Sequence, residues 1–205
     1  MRRTKEEAQQ PKEDLLQAAL AEFSAKGYSA ARLEDIAQRA GTTRGAIYHH
    51  FGNKAGLYKE LIESAAQQGN VVIQTAVSGG GTFEEISRRI VTGTLELLEE
   101  DARFRQITAL SLFKTGISEE LAAIDAQRER DAAATIEGVA RYMQMGIQAG
   151  EARSDIAPDL MARAFLAYQN GLAWLWLAGG ENFALKEDAD QYADLLLHGI
   201  LGRKK

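Results

Sequence analysis

Apolar residues recur along this chain at three- and four-residue intervals, and no stretch sustains the two-residue alternation of a half-buried strand. The pattern therefore predicts an all-α protein. Residues 1–10 read as a polar arm. Leu15, Leu16, Ala19, Leu20 and Phe23 then form the first stripe, with Pro11 expected in the opening turn of that helix and Gly27 at its end. Leu33, Ile36, Ala37 and Ala40 fall on one helical face and stop at Gly41. Ile47 and Phe51 are the inward pair of a third short helix, and a longer one is expected from Lys54 to about Val77.

After the break at Gly79-Gly80-Gly81, Thr82 and Glu85 predict a capping box ahead of Ile86, Ile90 and Leu97. A helix follows from Arg103 to Thr115, with Gly116 breaking it and Ser118 available to cap a long helix reaching Gly150. Pro158 opens an apolar helix to Ala178, and the last amphipathic helix covers Lys186 to Leu201. The expectation is about nine helices. The expected division is a three-helix unit at 1–57 followed by a helical body at 58–205, with the boundary inside or just after the helix that starts at Lys54.

Composition narrows the function classes. The chain has 205 residues, 45% of them hydrophobic, enough to bury a core in one or two domains. There is no cysteine, which excludes disulfides and thiolate chemistry. The polar first fifteen residues predict no secretory leader. The apolar stretch near the C-terminus carries Arg163, Gln169 and Asn170 and reads as a buried helix, not a membrane span, so a cytoplasmic protein is expected. Net charge is -5, but residues 1–60 carry +2 and the remainder -7, a weakly basic head on an acidic body. No Ser-His-Asp set or carboxylate pair at helical spacing stands out, so no enzyme and no cofactor is expected. Gly79-Gly81 lacks the Lys-Ser/Thr of a phosphate loop and reads as a linker, and Glu99-Glu100-Asp101 reads as a solvated helix end.

The informative stretch is Leu33 to Lys54, LEDIAQRAGTTRGAIYHHFGNK. Its two helices, about eight residues each, are too short to be stable alone and must pack on each other and on the first helix. Gly41 permits the sharp turn between them, the arrangement of a helix-turn-helix. Thr42 or Thr43 can cap the second helix. With Ile47 and Phe51 inward, that helix turns Thr43, Arg44, Tyr48 and His49 outward, and no carboxylate occurs from Thr42 to Lys59. Such a face suits phosphates, which repel carboxylates, and base edges, which accept hydrogen bonds from Arg, Thr and His. Gly45 lies near the helix start, where glycine costs roughly 1 kcal/mol against alanine, and close approach of a partner would explain it. Asn53 can cap the next helix, whose first amides with Lys54 would form an anion site. His49-His50 suggest a metal only superficially, since neighbouring helical side chains point about 100° apart and no third ligand is near in sequence.

Over residues 12–60 the chain closely resembles the TetR/AcrR family of repressors. Gly27-Tyr28, Ile36-Ala37, Ala40-Gly41, Arg44-Gly45, Ile47-Tyr48, Phe51, Lys54 and Leu57 fall in that family's order and spacing. Further on, GEARSDIAPDLMARAF looks like the family's entry to its dimerising helices, and MRRTKEEAQ looks like the branch that represses multidrug efflux pumps. The resemblance implies an N-terminal helix-turn-helix DNA-binding domain and a C-terminal ligand-binding and dimerisation domain. It implies a homodimer that sets two recognition helices in successive major grooves of a near-palindromic operator, with an effector in the body releasing the DNA. Base contacts then fall on Thr43, Arg44, Gly45 and Ala46, with Thr42 beside them, and phosphate contacts on Tyr48, His49, His50 and Lys54. Where the family usually has Ser or Thr ahead of the motif's first helix, this chain has Ala31-Arg32. The cap is weaker, and Arg32 is left to contact phosphate.

The body's readings rest on the apolar helix, which from Ala164 to Ala178 needs cover on both sides. Phe165, Tyr168, Leu172 and Leu175 are assigned to a dimer interface with Tyr192, Leu195, Leu196 and Ile200 of the last helix. The opposite face, with Leu166, Gln169, Asn170 and Trp174, is assigned to a largely apolar effector pocket. Ile90 and Leu97, Leu110 and Phe113, and Ile136, Val139 and Met143 complete that pocket, which would suit a hydrophobic or aromatic molecule. Gln169 and Asn170 either belong to a satisfied internal network or orient the effector. The alternative to a repressor is a helical binding or scaffold module whose head docks a protein instead of DNA.

Overall fold

Strong helix formers fill the chain between its glycine-marked breaks, and the computed structural model, which describes residues 5–113 and 119–201, is helical accordingly. Among the described residues are nine α-helices: α1 (Lys5–Ala30), α2 (Leu33–Arg39), α3 (Arg44–Phe51), α4 (Lys54–Ser78), α5 (Phe83–Glu100), α6 (Ala102–Phe113), α7 (Ala122–Gln148), α8 (Pro158–Ala178) and α9 (Ala189–Leu197). A single 3-10 turn at Glu119–Leu121 and an isolated bridge between Ala152 and Leu201 complete the regular structure described.

Two helices depart from their expected bounds. α1 begins at Lys5, so Pro11 lies inside it. The helix-forming residues upstream extend the helix at the cost of the one backbone hydrogen bond that proline cannot donate. Gly27, at φ 77°, breaks α1 as expected, and one further turn follows it. α9 is shorter than the 186–201 expected, because Lys186 and its neighbours are drawn into contacts with α5. The break at Gly116 and the cap at Ser118 lie outside the described residues, as do Arg2 and Arg3.

Packing divides the described chain into two units. The first takes residues within 1–67 and 103–126, the second takes 68–102 and 127 onward. A contiguous boundary after residue 57 does not follow this division. Ile107, Leu110 and Leu121 are buried in the same core as Leu15, Phe23, Ile36, Ile47, Leu57 and Leu61. Helical periodicity shows that a face is apolar but not which other face covers it.

In the first unit, Phe23, Tyr28 and Tyr58 meet at ring-centroid distances of 5.6, 6.1 and 5.3 Å, tilted or edge-on, which favours opposed ring quadrupoles. Burial and the Glu120 carboxylate, which accepts from its hydroxyl at 3.0 Å, push the Tyr28 phenol up. Glu22 is buried and bound by Lys26 at 2.7 Å and Arg39 at 2.9 Å, while Lys26 also reaches Asp35 at 2.8 Å. These groups line an open, polar hollow of about 410 Å³ that ties α1 to α2.

In the second unit, the capping box of Thr82 and Glu85 forms as expected. Phe83 stacks on Tyr142 at 4.8 Å, and α5 packs along α9 and α8. Arg88 donates to Asp194 at 2.6 Å. The acidic run at the end of α5 is engaged where plain solvation was expected. Glu99 accepts the backbone N–H groups of Leu185 and Lys186 at 2.7 Å each, Glu100 pairs with Lys186, and Asp101 accepts from Gln68 at 2.9 Å. The loop after α8 has two amides outside any helix, and the Glu99 carboxylate satisfies both.

Candidate nucleic-acid interface

α2 ends where Gly41 takes φ 63°, and the chain turns back with Gly41 N–H donating to Gln38 O and Thr42 N–H to Ala37 O. Thr43 then caps α3, its hydroxyl accepting from the Ala46 amide at 3.4 Å. Arg32 occupies the N-cap position of α2 without a side-chain cap bond, the weakness its residue type predicted. Of α3, Ile47 is fully buried and Phe51 half-buried on the core. Thr43, Arg44, Gly45, Tyr48 and His49 are exposed, while Thr42, Ala46 and His50 are half-buried. A Cβ added at Gly45 would come no closer than 3.5 Å to any neighbour, an ordinary contact. The chain's own packing therefore does not require glycine there.

Two side chains behave differently from the expectation. The Lys54 ammonium donates to the carbonyls of Ser29 at 3.3 Å and Ala31 at 3.2 Å, and lies 4.4 Å from the Tyr28 ring centroid. It closes the end of α1 from the first residue of α4, which leaves one of its three donors for a phosphate. Asn53 caps α4 as expected, accepting from Gly56 N–H at 2.7 Å. Arg44 is held on both sides, by the Glu34 carboxylate and by the Tyr48 hydroxyl at 2.8 Å. The Tyr48 bond, and then the Glu34 charge, further favour its protonated form. Glu34 escaped notice in the sequence because it sits ten positions away on another helix, beyond any helical spacing. Among the described residues, no three His, Cys, Asp or Glu side chains gather as a metal-binding group, and His49 and His50 meet only ring to ring at 5.1 Å.

The residues expected to act in the body separate. Leu110 belongs to the buried core of the first unit, and Phe113, in the same unit, is exposed. In the second unit Ile90 and Met143 are buried, Leu97, Ile136, Val139, Leu166 and Gln169 are half-buried, and Asn170 is exposed. On α8 two residues lie opposite to expectation, while Leu175 is exposed and Leu166 and Gln169 are half-buried, in keeping with their expected faces. Phe165 is buried with Met161, Ala162 and Trp176, whereas Trp174, expected in the pocket, is 50% exposed. Leu196 and Ile200, expected at the dimer face, are also buried within the chain. Tyr168 and Tyr192 are half-buried, the Tyr168 hydroxyl donating to the Tyr192 carbonyl at 3.0 Å. Leu172 is half-buried, and Leu175 and Leu195 are exposed. A helix that is apolar nearly all round carries little periodic information about its inner side.

Comparison with known proteins decides the family. The model for bacterial regulatory proteins of the tetR family matches residues 15–61, the stretch that forms this interface. The C-terminal region of MAATS-type transcriptional repressors matches residues 83–201, more than half the chain. The chain belongs to the TetR family. It is a DNA-binding transcriptional repressor of the helix-turn-helix type and not an enzyme. Among its TetR-family relatives, the HTH-type transcriptional regulator TtgR of Pseudomonas putida is 29% identical over 199 residues, covering 95% of this chain and 93% of that protein. NalD, the secondary repressor of the MexAB-OprM multidrug efflux pump in Pseudomonas aeruginosa, has the same fold, with a TM-score of 0.83 at 24% identity over 98% of this chain and 100% of that one. SmeT, the repressor of a Stenotrophomonas maltophilia multidrug efflux pump, solved in complex with triclosan, superposes with a TM-score of 0.76 at 22% identity, over 94% and 92% of the two chains. Among the described residues no helix is long and apolar enough to cross a membrane.

Proposed function

We propose that this TetR-family repressor binds a near-palindromic operator as a homodimer, one α3 per major groove, and that a small, largely apolar effector in the body releases it. The observation that carries the DNA reading is the outer face of α3. Thr43, Arg44, Gly45, Tyr48 and His49 are exposed together on a helix anchored by buried Ile47. Arg44 is the base-reading candidate, since a guanidinium matches the two acceptors of a guanine edge. Thr42, Thr43, Gly45 and Ala46 border it, and Arg32, Tyr48, His49, His50 and the remaining donor of Lys54 are candidates for the phosphates.

The dimer reading rests on Trp174 and Leu175 of α8 with Leu195 of α9, large apolar side chains at least half exposed in the single chain. Such side chains favour removal from water against a second copy. The effector reading is supported by SmeT's triclosan complex. Its candidates within the second unit are Ile90, Leu97, Val139, Met143, Leu166 and Gln169.

Selection of duplexes from random-sequence DNA, followed by binding across a salt series, tests the operator and homodimer readings. A symmetric site should emerge, bound with affinity that falls steeply as salt rises. An asymmetric consensus or salt-independent binding would overturn the two-headed operator reading.

A further inference from the structure

From Thr42 to Lys59 the sequence holds no carboxylate, yet folding brings one onto α3 from α2. Glu34, in the first turn of α2, accepts from Nη1 of Arg44. Nη2 of the same guanidinium donates to the Tyr48 hydroxyl at 2.8 Å, and its carbon lies 5.6 Å from that ring's centroid. The Arg44 and Glu34 side chains are both about half exposed, 49% and 55%. We infer that Glu34 is a positioning residue for Arg44 that raises discrimination: it orients the guanidinium along α3 and opposes its capture by the phosphates of non-operator DNA. The inference rests on the reading of α3 as the base-contacting helix.

An ion pair this exposed contributes little to folding, so stability does not explain a carboxylate beside a DNA-reading helix. Asp35, next in the chain, is committed to Lys26 and does not reach α3. The guanidinium has five N–H donors in a fixed fork. Glu34 and Tyr48 each engage one amino group, and three donors remain for a base edge. A guanine edge offers two acceptors in matching geometry, whereas a phosphate accepts a cation in almost any orientation. Holding the fork in one direction therefore favours the first partner over the second. The carboxylate is also repelled by the phosphate charge at every position along a duplex. That repulsion is offset only where the base contact forms.

The test uses the full chain and two duplexes of equal length, one enriched by the protein from random-sequence DNA and one unselected. Binding is measured for the wild type, Glu34→Gln, Arg44→Ala and the double variant. Glu34→Gln should tighten binding to the unselected duplex more than to the enriched one, so that preference falls about fivefold, with an unchanged melting temperature. In the Arg44→Ala background the same substitution should leave preference unaltered. An equal shift on both duplexes in both backgrounds would show general repulsion only and overturn the positioning role. Weaker binding to both with a lowered melting temperature would show a structural role and overturn it as well. A wild-type protein that enriches no duplex would overturn the DNA reading itself, and the role of Glu34 with it.

Discussion

α3 exposes Arg44, Gly45, Tyr48 and His49 and buries Ile47, whereas α8 exposes Leu160, Trp174 and Leu175 and buries Met161, Phe165 and Trp176. Both helices present large side chains to solvent, but their chemistry points to different partners. The outer face of α3 is made of hydrogen-bond donors and rings that remain soluble until they meet another polar surface. That of α8 carries, beside the Asp159–Arg163 ion pair and Asn170, the large apolar side chains of Leu160, Trp174 and Leu175, which gain free energy only when a partner excludes water from them. An exposed face thus reports the chemistry of its partner, provided that the fold establishes which face is outside.

The largest effect should come from breaking the apolar face. Leu175→Glu with Leu195→Glu introduces two charges where a second copy would desolvate them. Light scattering at micromolar concentration should fall from about twice 22.4 kDa to a single chain. Operator affinity should drop by roughly a hundredfold or more as linked half-site contacts become independent. A wild-type monomer, or a double variant that remains dimeric, would break the contrast drawn above.

On the polar face, Arg44→Ala should weaken operator binding by roughly 1–3 kcal/mol while leaving binding to unselected duplex nearly unchanged. Competition binding against both duplexes measures this, and an unaltered preference removes Arg44 from base reading.

The two tryptophans sharpen the comparison further, because one sits on each side of α8. Trp176 is 3% exposed and donates to the Phe183 carbonyl at 2.8 Å, whereas Trp174 is half exposed. If the proposed effector site lies on the inner side of α8, titration with hydrophobic or aromatic compounds should change fluorescence in Trp174→Phe and not in Trp176→Phe, while dilution through the dimer transition should give the opposite pattern. Identical behaviour in the two variants would dissolve the distinction between the faces.

The smallest effect concerns acid stability of the head. Lys26, by its hydrogen bond, and then Arg39 hold the Glu22 carboxyl below its ordinary value of 4.5. A carboxyl whose pKa is lower folded than unfolded contributes stability that is complete above the unfolded value and lost as pH falls through the folded one. Melting temperatures of the wild type and Glu22→Gln should therefore converge as pH drops below about 4.5 and separate above it. A constant difference across that range would show that the Glu22 charge is not what binds α1 to α2.

Much of the molecule was legible from local pattern. The helices, the capping box at Thr82 and Glu85, the turn at Gly41 and the outward face of α3 all depend on residues within a turn or two of each other, where the 3.6-residue period and capping chemistry act. The all-α class and the family followed from those features. Tertiary structure alone decided that Ile107, Leu110 and Leu121 complete the core of the head and that Lys54 closes α1 through two carbonyls. It also decided that Glu34 meets Arg44, and that Phe165 and Trp176 face inward on α8 while Trp174 faces out. Those outcomes depend on contacts between segments far apart in sequence. Periodicity gives the phase of a helix only where polar residues mark its outer side, and α8 has too few of them to choose between its faces.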